Sequence, residues 1–319
     1  MSNRKWVNKF QKLCYKCNRR NVAKAIQLKN RNTPSKLYQY RSINTNDQRE
    51  RLGWVLDVIK TGELFCSSNA NLNDPLDMQS VLSTREASSY IYSISSAMGN
   101  RDFASTYTAI KLFTPFLKRK WRKNGLTPDE IAAFDTAIND IVMKLTEDLQ
   151  EQHSEIMGLA RVVCFTEKYD NLPMWWFYAD ERRGVCLEFD VEALSSEKKF
   201  FVFPVKYVDK LFNAVEEAYK LDTRRINNMD KRDRDFFMLL CSFLLPCTNK
   251  LSDWSYESEW RYVMIKQDKF NFVKPSKIIL GDKIDGKNQD VLVEVAKCLK
   301  IVVTKMEITK YGLQEEEIN

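Results

Sequence analysis

The sequence predicts an α+β fold: a strand-rich core of mixed or antiparallel pairing, split by a helical insertion. Three observations carry this expectation. Apolar runs of strand length, rich in Val, Ile, Phe and Tyr, recur at 161–166, 184–190, 200–208, 260–265, 277–281 and 302–308. Between about 84 and 158 the apolar residues change to helical spacing, seen best in Ile131, Phe134, Ile138, Ile141, Val142 and Leu145. The composition, 44% hydrophobic and 29% charged over 319 residues, is that of a globular chain able to bury a core. The organisation expected is a basic helical arm over 1–33, followed by one α+β domain over 34–319 that contains the insertion.

The first thirty-three residues contain no acid and many bases, with Trp6, Val7, Phe10, Leu13, Val22, Ala25 and Ile26 at intermittent helical spacing. Such an arm can contact nucleic acid or an acidic partner, or lay one apolar stripe on the body. A boundary falls at Thr33-Pro34-Ser35. A strand is expected at Lys36–Arg41, a helix from about Gln48 to Lys60 that Thr61-Gly62 stops, and a strand at Glu63–Ser67. Asn69–Asp77 is a polar loop fixed by Pro75.

Thr127-Pro128-Asp129-Glu130 is a helix entrance: Thr127 can cap, Pro128 suits the first turn, and the acids face the positive helix end. Just before it lies the densest basic cluster, Lys118, Arg119, Lys120, Arg122 and Lys123. After the strands at 161–166, 184–190 and 200–208, residues 211–245 return to helix around a charged middle, and the last three strands complete the sheet.

Charge and rare residues narrow the chemistry. There are 50 Lys and Arg against 43 Asp and Glu, a net charge of +7, which suits an anionic ligand without demanding one. With a single histidine, His153, metal sites rich in His are excluded and any His-based triad depends on that residue. No apolar run approaches the roughly 18–20 residues of a membrane span, and no signal sequence opens the chain, so a cytoplasmic location without membrane contact is expected. Cys14 and Cys17 have ligand or redox spacing but lack neighbours that would close a zinc site; Cys66, Cys241 or Cys247 could complete one only through the fold. Cys164 and Cys186 read as small buried hydrophobes. No metal is predicted.

Four constellations can carry chemistry. Arg41 ends an early strand, where a guanidinium can hold a phosphate or carboxylate through two parallel hydrogen bonds, or pair with a core acid. Asn73 and Asp74 sit in a rigid turn that can hold a ribose or an amide edge; equally, both can satisfy their own backbone. Met174, Trp175 and Tyr178 can share a helical face, giving an aromatic wall for a flat ring or a hydrophobic plug. If 256–262 is a strand, Glu257, Glu259 and Arg261 share one face, which is either solvent or a lined cleft. There, paired carboxylates can act as a general base or stabilise a cationic transition state.

Taken in order, these segments resemble a bacterial family catalogued as a domain of unknown function, DUF2971. The resemblance rests on Leu37-Tyr38-Gln39-Tyr40-Arg41-Ser42, Thr61-Gly62-Glu63-Leu64-Phe65-Cys66-Ser67 and Leu72-Asn73-Asp74-Pro75-Leu76-Asp77. It continues through Val163-Cys164-Phe165-Thr166-Glu167, Met174-Trp175-Trp176-Phe177-Tyr178-Ala179-Asp180, Gly184–Asp190 and Trp254–Arg261. Relatives commonly carry a His between the tryptophan and the tyrosine; this chain reads Trp176-Phe177, so no role for that His carries over. The family name implies no activity.

A looser layout, with a basic residue on an early strand, a mid-sheet aromatic segment and a late glutamate, is similar to ADP-ribosyltransferase-like domains. That similarity implies NAD as substrate, with Arg41 on its pyrophosphate or ribose and Asn73 and Asp74 shaping the pocket. Trp175 or Tyr178 would lie on nicotinamide, and Glu257 or Glu259 would stabilise the oxocarbenium-like charge. It implies either ADP-ribosyl transfer to an acceptor or NAD hydrolysis. The alternative expectation is a non-catalytic module of a defence or toxin-like system that binds nucleotide or nucleic acid, with Lys118, Arg119, Lys120, Arg122 and Lys123 as contacts and steep salt dependence. A nuclease would need Asp74, Asp77, Glu257 and Glu259 to converge on metal.

Overall fold

The computed structural model describes residues 5–43, 48–79, 127–211 and 229–318, together with the single positions 119 and 125. The basic N-terminal segment forms two helices, α1 (Lys5–Cys14) and α2 (Arg19–Asn32), and the Asn18 side chain caps α2 by accepting from the Asn21 N–H. Their apolar stripe is laid on the body. Phe10, Cys14, Cys17, Val22 and Ala25 are buried in a cluster with Phe203, Phe237, Leu240 and Val263. One base departs from the solvated pattern: Lys29 is buried, and its Nζ donates to the carbonyls of Lys199, Phe200 and Val202 at 2.6, 3.1 and 2.9 Å.

The remaining helices are α3 (Gln48–Thr61), α4 (Pro128–Gly158), α5 (Leu172–Phe177), α6 (Ser196–Phe200), α7 (Lys231–Leu239) and α8 (Gly286–Leu299). The expected entrance of α4 is present in full. Thr127 accepts from the Glu130 N–H, the Glu130 carboxylate accepts from the Thr127 N–H, and Pro128 opens the helix. The rest of the expected helical insertion, and residues 212–228 of the later helical stretch, lie outside the described residues. Among the described residues no helix is long and apolar enough to cross a membrane.

The strands are β1 (Lys36–Arg41), β2 (Glu63–Phe65), β3 (Ala160–Thr166), β4 (Val185–Asp190), β5 (Val202–Pro204), β6 (Lys206–Val208), β7 (Asn249–Leu251), β8 (Glu259–Ile265), β9 (Lys269–Asn271), β10 (Lys277–Leu280), β11 (Val302–Thr309) and β12 (Gly312–Glu317). Eight of them form one sheet in the order β12-β11-β10-β4-β1-β3-β8-β5. Only β10 and β11 run parallel, joined by α8 as a crossover requires; the other pairings in that sheet are antiparallel. The fold is therefore α+β with a mixed, mainly antiparallel core. Both faces are covered, and the two-residue period divides them: Leu37, Leu187 and Phe189 enter the main core, while Tyr38, Tyr40 and Cys186 join Trp175 on the other face.

The strand expected over 256–262 is corrected. Ser252–Glu257 is a 3-10 turn, Ser258 has a left-handed backbone at φ 48°, and the strand starts at Glu259. A chain rich in Ser, Asp and Trp does not fill a ladder here; instead the turn carries Glu257 off the strand axis.

The sheet also opens at its centre. β1 pairs with β4 along its whole length but with β3 only at Tyr38 and Thr166. Further along the same edge, Val162 of β3 is bridged by Ser67 instead, through N–H···O bonds of 2.8 and 2.9 Å. β3 thus leaves one neighbour for another, and the wedge between them is a cavity.

Candidate functional site

The wedge encloses about 240 Å³ and is lined by backbone and side chains of 38–41 and 162–166, the segment 65–73, and Tyr178, Lys250, Glu257 and Glu259. Gln39 spans the gap, its amide donating to the Cys164 carbonyl at 3.1 Å and its oxygen accepting from Arg41 Nη2 at 2.9 Å. Arg41 makes no ion pair with any described residue, and its Nε is buried without a hydrogen-bond partner. Burial pushes its pKa down from the ordinary value, although a guanidinium stays charged at any working pH. A cation held this way, at the edge of a cavity, has the chemistry to accept an anion.

Across the cavity lies a buried cluster of three carboxylates and two cations. Arg261, fully buried on β8, uses all five of its N–H donors. Nη1 and Nη2 donate to Asp77 Oδ1 and Oδ2 at 2.8 and 2.6 Å. Nε and Nη2 donate to Glu259 Oε1 and Oε2 at 2.7 and 3.0 Å, and Nη1 also reaches the Cys247 carbonyl at 2.8 Å. Lys250, from β7, points its Nζ at Glu257 Oε2 (2.6 Å), Glu259 Oε2 (3.3 Å) and Asp77 Oδ2 (3.5 Å), and lies over the Trp254 ring.

Two neighbouring glutamates are thereby separated in character, the pattern that assigns acid and base roles in enzymes. Glu259 loses stability as an anion through burial, but Arg261 and Lys250 outweigh that and hold its carboxyl well below the usual carboxylate range. Glu257 is pushed up to about 7 by burial and then by the Glu259 charge, against the pull of Lys250. It hydrogen-bonds the Tyr178 hydroxyl, which donates to Oε1 and which the Asn73 side chain also contacts. Burial, then the Glu257 charge, keeps that phenol protonated.

The structure brings together Arg41, Asn73, Tyr178, Glu257 and Glu259, five of the residues singled out from the sequence. Asp74 is buried and turned into its own backbone: Oδ1 accepts from the Leu76 N–H at 2.9 Å. It does not line the cavity, and among the described residues its Oδ2 is buried without a hydrogen-bond partner. Trp175 is fully buried, its indole N–H donating to the Tyr169 carbonyl at 2.7 Å and its ring meeting Tyr40 edge-on at 5.1 Å. No face of it is open to a ligand, and Tyr178 supplies the aromatic wall. The Glu259–Arg261 pair exists, but inside the protein and not on a solvent edge.

Lys118, Lys120, Arg122 and Lys123 lie outside the described residues, and Arg119 is exposed. Cys14 and Cys17 are core residues, and burial raises the Cys14 thiol to about 12. Among the described residues no three or more of His, Cys, Asp and Glu are placed so that they could hold a metal ion; the three acids of the cluster surround Lys250 instead.

Lys250 and Gln39 escaped sequence reading. Lys250 is separated from the apolar stretch 243–247 by Thr248 and Asn249, and a lysine in that setting reads as exposed, so nothing local signals its burial. Phe65, half exposed at the cavity rim, gave no signal beyond its place on a short strand.

The family described as proteins of unknown function, DUF2971, matches residues 174–262. The matched span holds Tyr178, Lys250, Glu257, Glu259 and Arg261, while Arg41, Asn73 and Asp77 precede it. No curated protein and no solved structure matches the chain.

Proposed function

We propose that the chain is an enzyme acting on a small anionic substrate of the nucleotide class, with NAD as the substrate and its nicotinamide–ribose bond as the bond broken. The observation that supports this best is the pairing, in one cavity, of a guanidinium that makes no ion pair with any described residue and a carboxyl whose pKa is pushed up to about 7. Arg41 binds a phosphate of the substrate. Glu257 faces the ribose, where its carboxylate stabilises the positive charge that develops as the glycosidic bond lengthens. The electron pair of the broken C–N bond leaves on nicotinamide, which becomes neutral. Water or an acceptor oxygen adds to the ribose carbon, and its proton passes to Glu257.

Tyr178 holds Glu257 and borders the departing ring, while Asn73 fixes the phenol. Glu259, bound to Arg261 and Lys250, sets the charge around Glu257 and does not itself move protons. On this reading the arginine ending a central strand and the glutamate just before another would take the places that the resemblance to ADP-ribosyltransferase-like domains implies for the NAD-binding cation and the catalytic acid. A cavity of about 240 Å³ is near the lower end of small-molecule sites, so it takes the reacting end of a dinucleotide, with the rest extending past Phe65.

The test is incubation of the purified chain with NAD labelled in its adenylate half, with and without bacterial lysate as acceptor. Nicotinamide release or label transfer that Arg41→Ala and Glu257→Gln each lower by at least about 100-fold supports the reading. Release that survives both substitutions overturns the assignment of the site. NAD binding that needs Arg41 and yields no turnover identifies a binding module.

A further inference from the structure

We propose that the N-terminal helical hairpin, α1 and α2, is a docking surface for the phosphate backbone of a nucleic-acid duplex. This surface is separate from the cavity, and its role does not depend on what the cavity does. The charge of the protein is concentrated here. Residues 1–33 hold ten of the 50 Lys and Arg and none of the 43 Asp and Glu, so the rest of the chain, with 40 bases, is net acidic. The bases are also aligned. On α1, Lys5, Lys9 and Lys12 follow at intervals of four and three, which sets side chains on one face, and Lys16 continues the row past the helix end. The opposite face carries the buried Val7, Phe10 and Cys14. On α2, Arg20, Lys24, Gln27 and Arg31 repeat the intervals over about 16 Å, opposite the buried Val22, Ala25 and Lys29. Every residue of both rows is exposed.

Both helices bury their apolar stripes in the same cluster, with Phe203, Phe237 and Val263, so the two basic rows look outward from one side of the molecule. Lys29 ties α2 to three carbonyls near β5, and Arg19 pairs with Asp233 and Asp230 at the start of α7. Arg19 stands outside the two rows, and among the described residues no acid pairs with the bases within them. Like charges three and four apart on a helix repel, and an external polyanion relieves that repulsion. The other side chains of the hairpin choose the partner. No large apolar side chain of residues 5–33 is exposed. Nothing there can enter a lipid surface or stack on unpaired bases. The aromatic anchors of protein interfaces, where lysine is depleted, are likewise missing from that segment. Amides stand among the bases instead: Asn8, Gln27 and Asn30 are exposed and can donate to phosphate and sugar oxygens. Long cations in straight rows hold a duplex by its backbone, so the binding is indifferent to sequence and steeply dependent on salt.

The test is fluorescence anisotropy of end-labelled duplexes of about 16 base pairs, one of DNA and one of RNA, titrated with the full chain at about 50 to 200 mM salt. The matching single-stranded DNA, vesicles with phosphatidylserine and polyglutamate are the rival probes. The expected Kd is on the order of 1 μM at about 50 mM salt and rises roughly 100-fold by about 200 mM, as about four phosphate contacts require. Lys5→Gln/Lys9→Gln/Lys12→Gln and Arg20→Gln/Lys24→Gln/Arg31→Gln should each weaken duplex binding at least about tenfold and flatten the salt slope by about 2. Glutamine keeps helix propensity, and the changes are exposed, so an unchanged urea midpoint confirms that each variant is folded. Lys5→Arg/Lys9→Arg/Lys12→Arg should bind as wild type does. Lys283→Gln/Lys287→Gln/Lys297→Gln removes as much exposed charge from around α8, which covers the opposite face of the sheet, and should leave binding within about threefold. Binding of either duplex that needs both rows supports the proposal, and the two arms tell DNA from RNA. Equal weakening by the α8 variant shows that net charge alone binds, and overturns it. No duplex binding at the lowest salt, or tighter binding of the single strand, overturns it as well. Hairpin-dependent binding to the vesicles or polyglutamate without duplex binding overturns it in favour of a lipid or acidic-protein partner.

Discussion

At the residue scale, the site depends on Ser258. In a regular strand Glu257 and Glu259 would project from the same face about two residues' rise apart, in line. With Ser258 at φ 48°, outside the region that residues with a side chain prefer, the chain folds back so that both carboxylates reach one ammonium. The two then differ in what they cost. Glu259 and Asp77 are each matched to Arg261, and removing that guanidinium leaves three buried acids sharing one lysine. Arg261→Ala is expected to lower unfolding free energy by about 3–5 kcal/mol, read as a lower urea midpoint at unchanged slope. Glu257→Gln removes the surplus acid and should leave the midpoint unchanged or raise it near pH 8. An Arg261→Ala protein as stable as wild type would mean the cluster is hydrated and the charges are not confined.

At the element scale, close backbone approach holds Arg41 in place. Gly184 lies where β4 meets the end of β1, and a methyl group built on it would stand 2.2 Å from the Arg41 carbonyl oxygen. No side chain can relax that contact, so Gly184→Ala is expected to cost roughly 3 kcal/mol or more and to loosen Arg41 with it. Gly53, in α3 with open space around it, is the control: Gly53→Ala should stabilise by about 0.5–1 kcal/mol. Thermal melts of the two variants separate a contact effect from a general one.

A second joint lies between α2 and β5. There Lys29 answers three carbonyls that turn away from any ladder, and burial lowers its pKa to about 7. Lys29→Met fills the space but orphans those carbonyls, and is expected to cost about 2–4 kcal/mol by urea unfolding.

How far such features can be read without coordinates also differs by element. β3, β4, β8 and β10 are legible because runs such as Val162–Phe165 or Ile278–Leu280 can only be buried. The edge strand β12 reads Gly-Leu-Gln-Glu-Glu-Glu and looks like a solvated tail; Lys277 and Thr304 bonding to Glu315 place it. In the site, Arg41, Asn73, Tyr178 and Glu257 are legible from residue type and spacing. Trp175 and Tyr178 lie three apart on one short helix, and which of two aromatics meets a cavity is decided by neighbours such as Tyr40 that pattern does not name. The pairing of Asp77 with Arg261 joins residues 184 apart in sequence, and no local signal spans that distance.

At the scale of the whole molecule, the surplus charge should appear in global stability. A carboxyl with an ordinary pKa of 4.5 in the unfolded chain and about 7 in the folded one binds more protons when folded throughout that interval. Its contribution is fully present below 4.5, declines as pH rises through the folded-state value, and is gone above it; a shift of this size corresponds to about 3 kcal/mol. Glu259 acts in the opposite sense. Its pKa is held low in the folded chain, so its contribution is present above 4.5 and is lost on acidification below that. The two together place the stability maximum on the mildly acidic side of neutrality, between the acid limb of Glu259 and the neutral limb of Glu257.

Urea unfolding at intervals from about pH 5 to 8 should show wild type losing on the order of 3 kcal/mol more than Glu257→Gln across the range, with the opposite-signed rise from buried Lys29 above pH 7 common to both. The difference between the two curves isolates Glu257 from every other group that titrates in the window. Parallel curves for wild type and Glu257→Gln would show that the cavity is wet enough to leave Glu257 an ordinary carboxylate. In that case the acid–base role assigned to it would fall.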